Sequence, residues 1–178
     1  MIWSNIGVFA AALIAALVAA AFGAAQLGLA FVRVHTEIVI AAPPETVWAV
    51  ITEFNDYPDW NPLMIEVAGE PRLGSRLDWS SQINGAVRQY NGKVVRADRP
   101  GELAWTGPVA RFPRTLFWGH HRLILERTAD GGTRFVNSER FGGLATILLA
   151  RFLRRDVGAA YAVMNDAVRR RAEASSVR

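Results

Sequence analysis

The chain has 178 residues, 51% of them hydrophobic, which is enough to build the core of one domain. It contains no cysteine, which excludes disulfides, thiolate nucleophiles and thiolate metal sites. The formal net charge is +4, and residues 144–178 account for it, with seven arginines against three acidic residues. These arginines do not form a dense basic face with stacking aromatics, so no nucleic-acid partner is expected. An anionic membrane surface and plain solvent fit the basic segment equally well.

The N-terminal segment is the most apolar part of the chain. Residues 1–32 carry no charged side chain, and about 20 helical residues span a ~30 Å hydrocarbon layer. We therefore predict a single-pass transmembrane anchor at 1–32 that crosses the membrane through residues 6–28. The alternative is a cleaved secretory signal ending near Ala25, but no Lys or Arg precedes the apolar run. Arg33 after the segment favours a cytoplasmic soluble domain.

Residues 33–178 are predicted to form the soluble domain, which begins with a strand and a helix. Alternation of apolar and polar residues over Val34–Ile40 is typical of a half-buried strand. Pro43 and Pro44 then suit a first helical turn, and an apolar stripe at helical spacing follows.

Six further alternating runs predict an antiparallel meander, and a long helix follows Gly142-Gly143. The runs are 63–68, 75–82, 87–97, 102–106, 115–127 and 133–141, separated by Gly- and Pro-containing turns. One face of the final helix carries Val157, Tyr161, Met164 and Val168.

Several motifs in this order carry a family resemblance. They are Pro-Pro-Glu-Thr-Val-Trp at 43–48, Asp-Tyr-Pro-Asp-Trp-Asn-Pro at 56–62, Leu-Ala-Trp-Thr-Gly at 103–107, Gly-His-His at 119–121, and Thr-Arg-Phe-Val-Asn-Ser-Glu-Arg-Phe-Gly at 133–142. The chain resembles the START/Bet v 1-like superfamily, also called SRPBCC or polyketide cyclase-like. The resemblance implies an α+β helix-grip fold, in which a curved antiparallel sheet wraps a long C-terminal helix. It also implies a ligand cavity between the sheet and that helix.

Large apolar side chains and a few polar ones are candidates to line that cavity. The predicted ligand-binding residues are Trp60, Trp79, Tyr90, Trp105, Phe117, Leu123, Phe135, Asn137, Phe141, Tyr161 and Met164. Most of the tryptophans are expected to fill core, with Trp60 nearest the cavity mouth.

Two inward-facing polar residues, His121 and Glu139, are the candidate catalytic pair. Strand alternation turns both toward the cavity, and a turn near 128–132 brings them within about 4.5–8 Å between β-carbons. A carboxylate beside an imidazole is expected to raise the histidine pKa and to orient it as a general base. A buried pair that satisfies its own hydrogen bonds explains the same residues without chemistry. The sequence shows no histidine spacing typical of a metal site, and no cofactor is expected.

The segment 144–153 is apolar on almost every side and is followed by Arg154 and Arg155. Burial of this helix start is the favoured interpretation. The alternative is an interfacial segment that dips into lipid.

Together these features predict membrane-tethered binding of a lipid, quinone or polyketide-like molecule, with catalysis not required. A cavity enzyme that uses His121 as base, with Glu139 orienting it and Asn137 or Tyr90 supplying hydrogen bonds, is the first alternative. A ligand-free membrane interaction module is the second. Protein partners are not identified by the sequence.

The anchor hypothesis predicts that the full-length protein stays in the membrane fraction after an alkaline carbonate wash, because a spanning helix is held by apolar burial that high pH does not disrupt. Immunoblotting of pellet and supernatant measures this. Release into the supernatant would contradict the anchor.

Overall fold

The computed structural model describes residues 11–16, 18–20, 23, 31–108 and 113–176. A seven-stranded antiparallel sheet has the order β1-β7-β6-β5-β4-β3-β2. The strands are β1 Phe31–Ile40, β2 Met64–Gly69, β3 Arg76–Ile83, β4 Ala86–Asp98, β5 Glu102–Gly107, β6 Trp118–Arg127 and β7 Thr133–Gly142. The helices are α1 Pro44–Thr52, a 3₁₀ turn Phe54–Asp56, α2 Tyr57–Trp60, α3 Ala145–Phe152, a π segment Leu153–Val157 and α4 Gly158–Ser176. The predicted α+β architecture, with a long C-terminal helix against the sheet, is confirmed.

The first strand and helix follow the sequence pattern closely. Val32, Val34 and Ile40 of β1 are buried while their neighbours are exposed, as strand alternation requires. In α1, Pro44 occupies the first turn, where its missing N–H costs nothing. The helix then buries Val47, Val50 and Ile51 against the core.

Tight turns and bulges shape the meander. Asn84 and Gly85 both have positive φ, 51° and 77°, in the two-residue turn between β3 and β4. The pairing of β4 with β5 shifts register between Val94 and Arg96, and such a bulge increases local twist and bends the sheet. At the hairpin tip, Asn84 Nδ2 donates a 2.8 Å hydrogen bond to Asp156 Oδ1 in the π segment. The hairpin therefore reaches the helical layer.

The long helix buries the predicted stripe. Val157, Tyr161, Met164 and Val168 are all buried, and α4 packs on β1 and α1. Leu123, Phe135 and Met164 have no exposed surface at all, so no water-sized space lies beside them. The centre of the interface between sheet and helix is therefore filled by side chains.

The start of the C-terminal helical region is not buried, and the favoured sequence interpretation of 144–153 is wrong for most of its residues. Within α3 only Thr146 is buried, while Leu148 is 89% and Ile147 56% exposed. The physical reason is that the core is already closed by the π segment and α4, which bury Leu153 and Val157. The apolar surface of α3 is left facing outward.

The predicted membrane anchor lies mostly outside the described residues. Of residues 6–28, positions 11–16, 18–20 and 23 are described, and these are helical. Among the residues described, no helix is both long and apolar enough to cross a membrane. The anchor stays a prediction.

Replacing Phe135 by Ala should lower the free energy of unfolding by about 3–5 kcal/mol, because this fully buried ring leaves a cavity that its neighbours cannot fill. Val39→Ala is the control, since Val39 is 59% exposed and its loss should change stability by roughly 0.5 kcal/mol or less. Urea unfolding of both variants provides the measurement. Equal losses in the two variants would contradict this assignment of the core.

Candidate functional site

The pairing of β6 with β7 places the two candidate catalytic residues face to face. His121 is directly opposite Glu139 in the register, which corresponds to a five-residue connection at 128–132. Both side chains point to the concave face toward α4. The predicted proximity of the two side chains is confirmed, with His121 Nδ1 3.5 Å from Glu139 Oε2.

A glycine makes room for the carboxyl group. Gly119 lies on β6 two residues before His121, and a β-carbon built there would lie 2.3 Å from Glu139 Oε1. Such a contact is far inside van der Waals distance, so only glycine lets Glu139 keep this position.

Tyr161 of α4 completes the polar cluster. Its hydroxyl donates a very short hydrogen bond to Glu139 Oε2 and lies 3.4 Å from His121 Nδ1. No described residue hydrogen-bonds Oε1, the second carboxyl oxygen of Glu139, and 14% of the Glu139 side chain stays exposed. One oxygen of a nearly buried carboxyl group is therefore free to meet another molecule.

A second set of amides fixes the orientation of His121. Its Nε2 lies 2.7 Å from Asn137 Oδ1, while Asn137 Nδ2 donates to Asn165 Oδ1 at 3.0 Å. Asn165 Nδ2 in turn donates to Thr36 Oγ1 at 3.0 Å. Because Asn137 presents its oxygen, Nε2 of His121 must carry the proton, and Nδ1 presents a lone pair toward Tyr161 and Glu139.

Aromatic rings enclose the imidazole on both sides. The Trp105 ring centre lies 4.4 Å from that of His121, and the Tyr161 ring is stacked at 4.8 Å. Trp79 extends this wall, with Trp105 at 6.3 Å and Tyr90 stacked at 5.8 Å. The cluster thus lies in surroundings of low polarity.

Burial controls the pKa values of the cluster. It lowers the pKa of His121 to about 4 and raises that of Glu139 to about 7, where the hydrogen bond from Tyr161 opposes the rise. Burial and then the nearby Glu139 also raise the pKa of Tyr161 well above its usual 10. The expectation that Glu139 raises the pKa of His121 is wrong, because loss of hydration lowers that pKa more than the hydrogen bond with Asn137 raises it. At neutral pH the imidazole is uncharged, and Glu139 is the group poised to exchange a proton.

The other predicted site residues fall into three places. Leu123, Phe135, Asn137 and Met164 are fully buried core, and Phe141 is buried with Phe117 stacked on it at 5.9 Å. Trp79, Tyr90 and Phe117 are partly exposed and surround the Glu139 end of the interior. Trp60 lies elsewhere, in an open surface groove of about 540 Å³ formed with Asp59, Asn61, Gln82 and Asn84.

Sequence reasoning missed Asn165 and Thr36, which hold Asn137. The available signal was Asn165 itself, a polar residue between Met164 and Val168 on the buried helical face. A polar residue at such a position requires a partner in the sheet. Within the described part of the chain, no group of three or more His, Asp or Glu side chains is placed to hold a metal ion.

This chain belongs to the family described as polyketide cyclase / dehydrase and lipid transport, whose sequence profile matches residues 32–173. A search of curated protein sequences finds no significant match.

Three solved structures illustrate the similarity of fold. The Zhui aromatase/cyclase from a Streptomyces species has a TM-score of 0.67 at 16% identity, covering 83% of this chain and 96% of that one. The di-domain ARO/CYC protein StfQ from the steffimycin biosynthetic pathway has a TM-score of 0.68 at 13% identity over 84% of this chain. Our chain spans 53% of the length of StfQ. Norcoclaurine synthase from Thalictrum flavum, solved with dopamine and hydroxybenzaldehyde, has a TM-score of 0.61 at 15% identity, covering 82% and 88% of the two chains.

The raised pKa of Glu139 predicts a pH-dependent difference in stability between the native protein and Glu139→Gln. The pKa of the carboxyl group is about 7 in the folded protein, against the usual 4.5. The contribution of Glu139 to stability is therefore fully present below about pH 4.5 and is lost as the pH rises to about 7. Over this interval the free energy of unfolding of the native protein should fall by roughly 1–3 kcal/mol relative to the variant. Denaturant unfolding at several pH values measures this.

The comparison with the variant is needed because His121 acts in the opposite direction. Its folded pKa of about 4 lies below the usual 6.5, so its contribution to stability rises with pH between these values and offsets that of Glu139. Glu126→Gln is the matched control, since Glu126 is exposed and paired with Arg134. Parallel curves for native protein and Glu139→Gln would contradict a buried, neutral Glu139.

Proposed function

We propose that this protein binds an apolar or amphipathic small molecule, of lipid, quinone or polyketide type, at the Glu139 end of the space between sheet and α4. The main observation in support is that Oε1 of Glu139 has no hydrogen-bond partner among the described residues. This atom lies among aromatic rings, on a side chain that is 14% exposed. A carboxyl group with a pKa of about 7 is present in both protonation states near neutral pH. It can donate to a carbonyl oxygen or accept from a hydroxyl group.

The surroundings of Glu139 support a flat or cyclic apolar ligand. Trp79, Tyr90 and Phe117 are only partly buried, so they offer ring faces that another molecule can cover. The fully packed centre, with Leu123 and Phe135, limits how deep a rigid ligand enters. The family description includes lipid transport, and a protein of similar fold holds the small aromatic molecules dopamine and hydroxybenzaldehyde.

The proposal includes the membrane anchor at residues 1–32, with the domain on the cytoplasmic side. Support comes from the absence of charge in that segment and from Arg33 directly after it. Tethering beside the bilayer raises the effective concentration of the domain where a sparingly soluble ligand partitions.

A second candidate function is proton-transfer catalysis of the cyclase or dehydrase type. The specific observation in its favour is the pKa of Glu139 near 7, because a catalytic acid or base works best when its pKa is close to the working pH. In this version Glu139 exchanges the proton and Tyr161 orients it. His121, with a pKa of about 4, is too weak a base for the role first expected of it and serves as a neutral hydrogen-bonding group.

The ligand is identified by purifying the full-length protein in mild detergent, denaturing it and analysing the released molecules by mass spectrometry. We expect a stoichiometric lipid, quinone or polyketide-like compound. Gly119→Ala is the test variant, because the added methyl group displaces the Glu139 carboxyl group. Gly101→Ala is its control, since the nearest atom to a β-carbon there is at an ordinary 3.6 Å. No released molecule from either the native protein or the control would support the ligand-free interaction module instead.

Two substitutions of Glu139 then separate binding from catalysis. Glu139→Leu should weaken binding of the identified molecule about 10–100-fold, because it removes the hydrogen bond from Glu139 to that molecule. Glu139→Gln keeps hydrogen-bonding capacity and should retain affinity within roughly threefold. If Glu139→Gln retains affinity but abolishes turnover of the bound compound, the hypothesis of proton-transfer catalysis is correct.

A further inference from the structure

The apolar side of α3 is an exposed hydrophobic surface on the described part of the chain. We call it the α3 face, formed by Ile147, Leu148, Leu149 and Phe152, each at least 38% exposed. Exposed leucines are common singly, but four neighbouring apolar residues on two helical turns form a patch. The hydrogen bonds of Leu144 and Ala145 to Thr115 and Leu116 continue this patch toward Leu116, which is 39% exposed.

Unpaired arginines border the α3 face. Arg151, Arg154 and Arg155 are exposed and form no ion pair with any described residue. Eight other arginines of the molecule are paired with carboxylates: Arg72, Arg76, Arg96, Arg122, Arg127, Arg134, Arg169 and Arg171. Asp156, the acidic neighbour in sequence, bonds to Asn84 instead. The three guanidinium groups therefore lie beside the apolar patch without a carboxylate partner among the described residues.

The end of the sheet next to α3 carries aromatic residues that contact arginine side chains. Phe31 at the start of β1 and Trp118 at the start of β6 both align with Gly142, directly before α3. The Arg140 guanidinium lies 4.6 Å from the Phe31 ring centre, and that of Arg114 lies 5.3 Å from Trp118. Aromatic rings beside cationic groups are typical of surfaces at the level of lipid headgroups.

The uncharged N-terminal run also joins the domain at this end of the sheet, because the run ends at Phe31 and Val32. We propose that the α3 face docks on an anionic lipid surface, with the apolar side chains entering the acyl boundary and Arg151, Arg154 and Arg155 contacting lipid phosphates. This contact belongs to the domain itself and does not depend on the identity of the bound ligand or on catalysis.

Charge complementarity favours lipid over two other occupants. Residues 1–32 have no acidic side chain, so that segment folded over α3 would leave the arginines unneutralised. A second copy packed on the same face would bring like charges together. Anionic headgroups above an apolar layer satisfy both parts of the surface at once.

The absence of cysteine allows a direct test in the full-length protein. A single cysteine introduced as Leu148→Cys is labelled with an environment-sensitive fluorophore, and the protein is reconstituted into vesicles of phosphatidylcholine with phosphatidylglycerol. Val163→Cys and Leu73→Cys are matched controls, since both positions are at least half exposed and lie outside α3. All three labels share any tether at residues 1–32, so a difference between them reports on α3.

We expect quenching of the Leu148→Cys label by lipid-borne quenchers, and labels at the control positions that remain accessible to water-soluble quenchers. Arg154→Gln with Arg155→Gln should reduce the ratio of docked to free α3 roughly thirtyfold in anionic vesicles, because each arginine contributes about fivefold at such a surface. Arg99→Gln with Arg170→Gln makes the same change in net charge and should have little effect.

Two outcomes would overturn the proposal. A label at 148 that is as accessible to water as the controls would show that α3 does not meet lipid. A label at 148 that is shielded from water but insensitive to lipid-borne quenchers would show that another part of this chain, or a second copy, covers the face. Circular dichroism confirms folding of each variant, which the exposure of Leu148 leads us to expect.

Discussion

The antiparallel register of β6 and β7 is the constraint on which the polar interior depends. It sets His121 opposite Glu139 and Leu123 opposite Asn137, so one strand pair supplies three hydrogen-bonding side chains to the same concave face. Tyr161 and Asn165 of α4 then meet them from the helical layer. A slip of one residue would turn the whole set outward and leave Tyr161 and Asn165 buried without partners. The apolar pattern of both strands, which fixes that register, therefore also fixes the chemistry.

Within the cluster, loss of hydration has a larger effect than attraction between charges. Trp105 and Tyr161 enclose the imidazole, and this favours the uncharged forms of both His121 and Glu139. The chain of amides from Thr36 through Asn165 and Asn137 supports the same state, because it fixes the His121 tautomer with a lone pair facing Glu139. A proton on Glu139 avoids placing a negative charge beside that lone pair. The interior thus holds a hydrogen-bonded carboxyl group that exchanges its proton near neutral pH, beside an uncharged imidazole.

Much of this could be predicted from sequence, for identifiable reasons. Alternation in 115–127 and 133–141 turned His121 and Glu139 to the same inward face, as observed, and the turn near 128–132 brought them close together. The pKa of His121 could not be obtained in this way, because it depends on how completely Trp105 and Tyr161 exclude water. Nor could the partners of Asn137, since Asn165 and Thr36 lie 28 residues after it and 101 residues before it in sequence. The exposure of α3 was missed because its composition is that of a buried helix. Whether α3 is covered depends on the packing of the π segment and α4, which the composition of α3 does not reveal.

The close approach of Gly119 to Glu139 means that the residue at one of these positions restricts the residue at the other. Any side chain at 119 displaces Oε1 of Glu139, and the flexible end of Glu139 can shift without disturbing the backbone. A protein of this fold that carries a larger residue at the position of Gly119 is therefore expected to have lost the glutamate or to aim it elsewhere. Among such proteins, the pair glycine and glutamate on neighbouring strands marks which members share this acid, even where overall identity is too low to be informative.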